Sequence, residues 1–331
     1  MESKSSEIAN TMTKHYHIFK VYLVSIIFVL GLCLLTTSCQ EEFFIEESIT
    51  ANQYVVEGYV EAGEGTLPSY VLITQSVPFF DELNPDEFAS LFIDNASVAV
   101  NDGDQTVQFT KICSDAVPDG PIKDELAMTL GVDFDSIDVD ICIYIDLADE
   151  LIREEGRSYD LTINIGNDQL TATTTIPELV RLDSFSFEEV PGEVIDTLAQ
   201  LFANIADPEG QTFYRYFTDD DNGTLNTAFS SVTDDSTFDG QDFRFPIIQA
   251  DATDVDFGTY GFFYVGDTIT FKWTTIDAAH FKFWDTFEFS LNGQGSPFTS
   301  YTRIAGNVEG GFGIWGGYAV QFEELVVDKT E

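Results

Sequence analysis

Alternation with a period of two runs through most of the chain after residue 50. In Ser158–Ile165 the apolar positions are Tyr159, Leu161, Ile163 and Ile165, with Asp160, Thr162 and Asn164 between them. In 267–276, Ile269, Phe271 and Trp273 fall on one face. Successive side chains of a strand point to opposite faces, so this pattern predicts half-buried strands. Segments 54–60, 71–76, 96–100, 141–147, 170–176 and 213–218 read the same way. They are rich in β-branched and aromatic residues and bounded by Gly, Pro, Asn and Asp. Many short strands separated by turns predict an all-β fold of two sandwich-like domains.

Two stretches switch to the helical period. Asp277 is placed to cap a helix over 278–291 that stops before Gly293, with Phe283, Trp284, Phe287 and Leu291 as its apolar stripe. A shorter helix is predicted over 121–130, begun by Pro121 and stopped by Gly131. Pro177 closes the strand 170–176, so the expected boundary follows it. An N-terminal β-sandwich domain would occupy 51–177, and a C-terminal β domain with one helix 178–331.

The first forty residues follow another rule. Lys4, Lys14 and Lys20 precede a fifteen-residue apolar run, 21–35, which leads to Thr36, Thr37, Ser38 and Cys39. A positive flank, a short apolar core and small residues describe a secretory signal over 1–38. The run is shorter than the roughly 20 residues needed to cross a bilayer, although an uncleaved anchor is the alternative. Met12 would serve as a start as well as Met1. Ser38-Cys39 after an apolar core resembles the lipobox of bacterial lipoproteins, with Thr36 where that pattern has an aliphatic residue. The resemblance implies cleavage between Ser38 and Cys39, lipid on Cys39 and a tether over 39–50. Gln40-Glu41-Glu42 resembles the acidic tags of surface lipoproteins of the Bacteroidota.

Charge narrows the partners. The 331-residue chain has 14 basic and 58 acidic residues, net −44. The leader holds three of the basic and two of the acidic residues, so the remainder carries 11 against 56, net −45. Such a field repels phosphate backbones, which excludes nucleic acid. Acidic chains are disordered only when apolar content is low, and 30 Phe supply ample core. Outside the leader and its lipid site, Cys113 and Cys142 remain. In an oxidising envelope they read as a disulfide, with two buried thiols as the alternative.

Candidate chemistry is sparse. Gly311, Gly313 and Gly316 spell a dinucleotide fingerprint, but the residues after them read as a strand rather than a helix, so packed glycines at a turn fit better. Asp219 and Asp221 in one acidic turn, and Asp235 and Asp239 in a second, are the candidate calcium ligands, with solvated turns as the plainer reading. A third cluster comprises Asp133, Asp135, Asp138 and Asp140. His280 is the only histidine after the leader, so no triad or zinc set is expected. A glycosidase needs only two carboxylates about 5–10 Å apart, which the sequence cannot pick out. The paired rings Phe43-Phe44, Phe79-Phe80 and Phe262-Phe263-Tyr264 are core by default and exposed contact candidates otherwise.

Several segments in order resemble one family. They are Tyr54-Val55-Val56-Glu57-Gly58-Tyr59-Val60, Asp207-Pro208-Glu209-Gly210 leading to Tyr214-Arg215, Phe238-Asp239-Gly240, and Gly310-Gly311-Phe312-Gly313-Ile314-Trp315. Together they resemble the Bacteroidota lipoproteins of domain of unknown function 4249. That resemblance implies the outer membrane and the company of TonB-dependent receptors, and brings no catalytic or binding residues. The functional expectation is a lipid-anchored binding or accessory partner of such a receptor, on the periplasmic or surface face, with no cofactor unless calcium binds. The alternatives are stand-alone glycan capture and, third, a carboxylate-based hydrolase.

Overall fold

The computed structural model describes residues 53–77, 88–113, 120, 123, 141–192, 195–219, 225–250, 259–293 and 302–329. The leader, the Ser38-Cys39 junction, all of the expected helix over 121–130 but residue 123, the third acidic cluster, Asp221 and the pairs Phe43-Phe44 and Phe79-Phe80 lie outside them.

A nine-stranded sheet is the backbone of the fold. Its members are β1 (Tyr54–Ala62), β2 (Tyr70–Gln75), β5 (Thr110–Cys113), β6 (Cys142–Ile145), β11 (Phe213–Asp219), β12 (Leu225–Asn226), β13 (Val232–Asp234), β16 (Thr268–Ile276) and β17 (Phe312–Val326). The order is β12-β11-β16-β17-β1-β2-β6-β5, with β13 also pairing β11. All pairs are antiparallel except β1 with β17, which run parallel from Val55↔Phe312 to Ala62↔Ala319. Two small sheets complete the strands. One has the order β4-β3-β7-β8, from β3 (Ser97–Asn101), β4 (Thr106–Gln108), β7 (Ser158–Ile165) and β8 (Asp168–Thr175). The other centres on β10 (Leu198–Ala206), flanked by β9 (Leu182–Glu189), β14 (Asp242–Ile247) and β15 (Phe263–Tyr264).

The strand pattern explains the layering. Val56 and Val60 of β1, Trp315 and Ala319 of β17, and Val71 and Ile73 of β2 pack with Val98, Leu161, Ile163 and Leu170 of the β4-β3-β7-β8 sheet. Farther along, Tyr214, Ile269, Phe271 and Trp273 pack with Leu201, Ala203 and Ile205 of β10. The two small sheets thus cover one face of the long sheet, each forming a sandwich with it. The alternate residues Tyr59, Phe217, Ile314, Tyr318 and Val320 form a separate core with Phe283. Phe283 belongs to the helix α1 (Ala278–Asn292).

Local chemistry sets the ends of α1. The Asp277 carboxylate accepts from the His280 backbone N–H at 2.7 Å, and Gly293 follows the last turn. Of the expected stripe, Phe283 is buried and Trp284 and Phe287 pack on the core, whereas Leu291 is 48% exposed. The last turn overhangs the sheet. Cys113 and Cys142 stand opposite each other in the β5–β6 pair and form a disulfide. The expected domain boundary after Pro177 falls between β8 and β9 but does not partition the sheets, and residues 50–331 form one compact unit. Strands from both sides of the boundary share the long sheet because β1 pairs with β17.

Candidate functional site

The face of the long sheet beneath α1 carries a cavity of about 1140 Å³. Ligand sites usually enclose about 300–1,000 Å³, so the space would accept a substantial organic molecule. Strand alternation builds its floor. β1 presents Glu57, Tyr59 and Glu61, β11 Arg215 and Phe217, β16 Lys272, and β17 Tyr318. Their registers lock them side by side, with Glu61 opposite Tyr318 and Phe217 opposite Lys272. The helix contributes Phe283, Trp284 and Phe287, and the rim includes Arg303 and Phe312.

Buried charge dominates this floor. Lys272 Nζ donates to Glu61 Oε1 at 2.6 Å, with the two side chains only 5% and 6% exposed. Glu61 Oε2 is buried and accepts no hydrogen bond among the described residues. Arg215 is 5% exposed, and among the described residues no carboxylate forms an ion pair with it. Its Nη1 donates to the Tyr318 hydroxyl at 2.7 Å and its Nε to Ser231 Oγ at 3.0 Å. Ser231 in turn donates through its hydroxyl and its backbone N–H to Glu288. The guanidinium lies over the Trp284 ring, 3.7 Å from the centroid. Trp284 Nε1 is buried without an acceptor among the described residues.

Ionisation follows from this packing. Burial raises the Glu57 carboxyl, while the Tyr59 hydroxyl, donating at 2.6 Å, and the Arg215 charge pull it back. Burial pushes the Tyr318 hydroxyl up to about 12, against the lowering pull of Arg215 and Lys272. His280 is fully buried, stacked on Tyr59 and edge-on to Tyr318. Burial, with Arg215 adding to it, lowers the imidazole to about 3, so the ring is neutral. Its packing leaves no room for a side chain at residue 316, since a Cβ on Gly316 would lie 2.7 Å from the ring.

The residues singled out for calcium are distributed differently. Asp235 and Asp239 come together with Asp207, one carboxylate oxygen of each lying within 4.8 Å of the others. Asp219 ends β11 opposite Leu225 instead. The clustered oxygens hold the surrounding turns: Asp207 accepts from the Tyr214 hydroxyl and Gly240 N–H, Asp235 from Thr212 N–H, and Asp239 from Gly210 N–H. Burial raises Asp235, and the Asp207 and Asp239 charges add to the rise. Among the paired rings, Phe263 is fully buried and Tyr264 is 47% exposed. The glycine run opens β17 rather than a phosphate loop: Gly313 has φ +102° and a Cβ there would meet Val56 O at 1.9 Å. These glycines permit the close parallel approach of β1 and β17.

The sequence names several cavity residues, Phe283, Trp284 and Phe287 as a helix stripe and Glu57, Tyr59 and Arg215 within family-like segments, without bringing them together as a site. One signal was present: Arg215 and Lys272, drawn from only 14 basic residues, interrupt aromatic runs inside strands. No helix of the described residues is long and apolar enough to cross a membrane. Comparison with curated proteins returns no match. The family described as Domain of unknown function (DUF4249) matches residues 40–324, and the chain belongs to that family.

Proposed function

We propose that this is a lipid-anchored binding protein of the bacterial outer membrane, working beside a TonB-dependent receptor, with the cavity beneath α1 as its ligand seat. The signal over 1–38, the Ser38-Cys39 junction and the family's company support the address and the partner. The cavity supports the binding role, through one observation above all: Glu61 Oε2 and Trp284 Nε1 are buried at its wall with no partner among the described residues. Buried polar atoms are nearly always satisfied, and a partner from outside would satisfy these.

Turnover is less well supported than binding. His280 is buried among tyrosines and uncharged. Glu57 and Glu61 both line the cavity, yet they stand four residues apart on one strand, about 13 Å along its axis. That backbone separation is longer than the roughly 5–10 Å carboxylate spacing of a glycosidase pair.

Tethering confines the protein to the membrane plane and raises its effective concentration near a membrane partner. A stable contact should bury at least about 1,000 Å². Cross-linking in intact cells, followed by mass spectrometry of the lipidated protein, is expected to recover one dominant outer-membrane barrel. Recovery of no barrel, with retention on an extracellular glycan matrix, would replace this reading with stand-alone capture.

A further inference from the structure

Three of the molecule's 14 basic residues, Arg215, Lys272 and Arg303, converge on the cavity of a chain with net charge −44. Lys272 is neutralised by Glu61. Arg215 is not neutralised directly; Ser231 relays its Nε toward Glu288, and Nη1 is spent on a tyrosine hydroxyl. Nη2 finds no acceptor among the described residues. A buried guanidinium that forms no direct ion pair is costly, and its planar fork matches an oxyanion, with Glu57 on the same floor as a carboxylate that feels its charge. The neighbouring vacancy has the same sign: Trp284 Nε1 is a donor, and the indole lies against that guanidinium. A buried donor without a partner, Trp284 Nε1, thus belongs to an indole stacked on a guanidinium whose Nη2 makes no bond among the described residues, and the rings of Phe283, Phe287 and Phe312 also line the space. A vacant acceptor, Glu61 Oε2, belongs to the neighbouring ion pair on the floor, where the Glu57 carboxylate, held through Oε1 by Tyr59, also lies.

We infer that the cavity takes an amphipathic organic anion, its carboxylate seated on Arg215 Nη2 and Trp284 Nε1 and its apolar or aromatic body held by the phenylalanines. A hydroxyl or amine on the same molecule would reach Glu61 Oε2. This inference rests on the cavity being the ligand seat and adds the chemical class of the ligand. The protein's acidic surface does not oppose it at contact range, because exposed charges are screened beyond about 8–10 Å while the buried guanidinium is not.

The test uses three probes of one shape: phenylbutyrate, neutral phenylbutyramide and cationic phenylbutylammonium. Binding to the purified protein is measured by calorimetry and by tryptophan emission. Trp273 and Trp315 are buried in the cores of the opposite sheet face, so a shift reports on Trp284. Phenylbutyrate should bind at least about tenfold more tightly than the amide, as a charge-assisted contact requires, with the ammonium weakest. Calorimetry on Arg215→Met should show the carboxylate reduced to the affinity of the amide, and Trp284→Phe, which keeps a ring but loses Nε1, should lose part of the preference. If Arg215→Met does not fold, Arg215→Lys serves, since it retains a cation but not the vacant Nη2, and should also bind the carboxylate more weakly. Equal or tighter binding of the amide or the ammonium would overturn the anion inference and leave the cavity as a ligand seat. Absence of heat and of any Trp284 shift with all three probes would remove both.

Discussion

The Lys272–Glu61 pair offers a sharp test of how dry the cavity floor is. Nζ lies 2.6 Å from Oε1, and among the described residues Oε2 has no partner and Lys272 supplies the one side-chain hydrogen bond that carboxylate receives. Lys272→Met preserves the length of the side chain beside the Phe217 and Tyr318 rings but removes the charge. Glu61 would then be a buried anion without compensation, and breaking such a pair costs about 3–5 kcal/mol. That is two to four powers of ten in the folded-to-unfolded ratio. Replacing both partners removes the need for compensation, so Lys272→Met with Glu61→Leu should lie within about 1 kcal/mol of the parent. The assay is urea denaturation near neutral pH, disulfide intact, for the parent, both single variants and the double variant. A loss below about 1 kcal/mol for Lys272→Met would show that water in the cavity solvates Glu61 and that the floor is wet. Additive losses in the double variant would show that the two positions act by packing alone.

Other outcomes follow from the same structure. His280 is lowered to about 3 in the fold against about 6.5 unfolded, so below 6.5 the unfolded chain binds the extra proton. Its contribution to stability is complete above pH 6.5 and is lost as pH falls toward 3, by about 4–5 kcal/mol in total; His280→Gln should flatten the slope between pH 4 and 6 by about 1.4 kcal/mol per unit. An unchanged slope would contradict that assignment. Fatty-acid labelling in cells should mark the wild type and not Cys39→Ala, and equal labelling would refute lipidation at that residue. Alkylation without reductant should leave Cys113 and Cys142 unmodified, and removing their bridge should cost about 3–4 kcal/mol in the chain-entropy model for 28 intervening residues.

Local features were legible from the sequence because local rules determine them. Alternation located β7 to the residue, and the Asp277 cap and Gly293 bounded α1 within one position. Cys113 and Cys142 paired as the oxidising context suggested. What stayed hidden was non-local. Nothing near Val55 announces that its partner is Phe312, and without that pairing Pro177 looked like a boundary. The cavity was hidden for the same reason. Glu57, Arg215, Lys272, Trp284 and Tyr318 are ordinary polar or aromatic positions in five separate elements, and only the sheet register gathers them. Acidic turns, by contrast, drew attention through composition alone, whereas Asp207 completed the cluster from a turn that composition did not single out.

The parallel pairing of β1 with β17 also imposes an order of assembly. Val55 waits for Phe312, 257 positions later (312 minus 55), before its strand gains a second neighbour. Pairing across so long a separation carries a large loop-closure cost, which places it late on the folding path. Glu57, Tyr59 and Glu61 arrive with the first strand and Tyr318 with the last. The cavity floor therefore cannot exist on a nascent chain, and any capacity to hold a ligand comes into being only with the completed molecule.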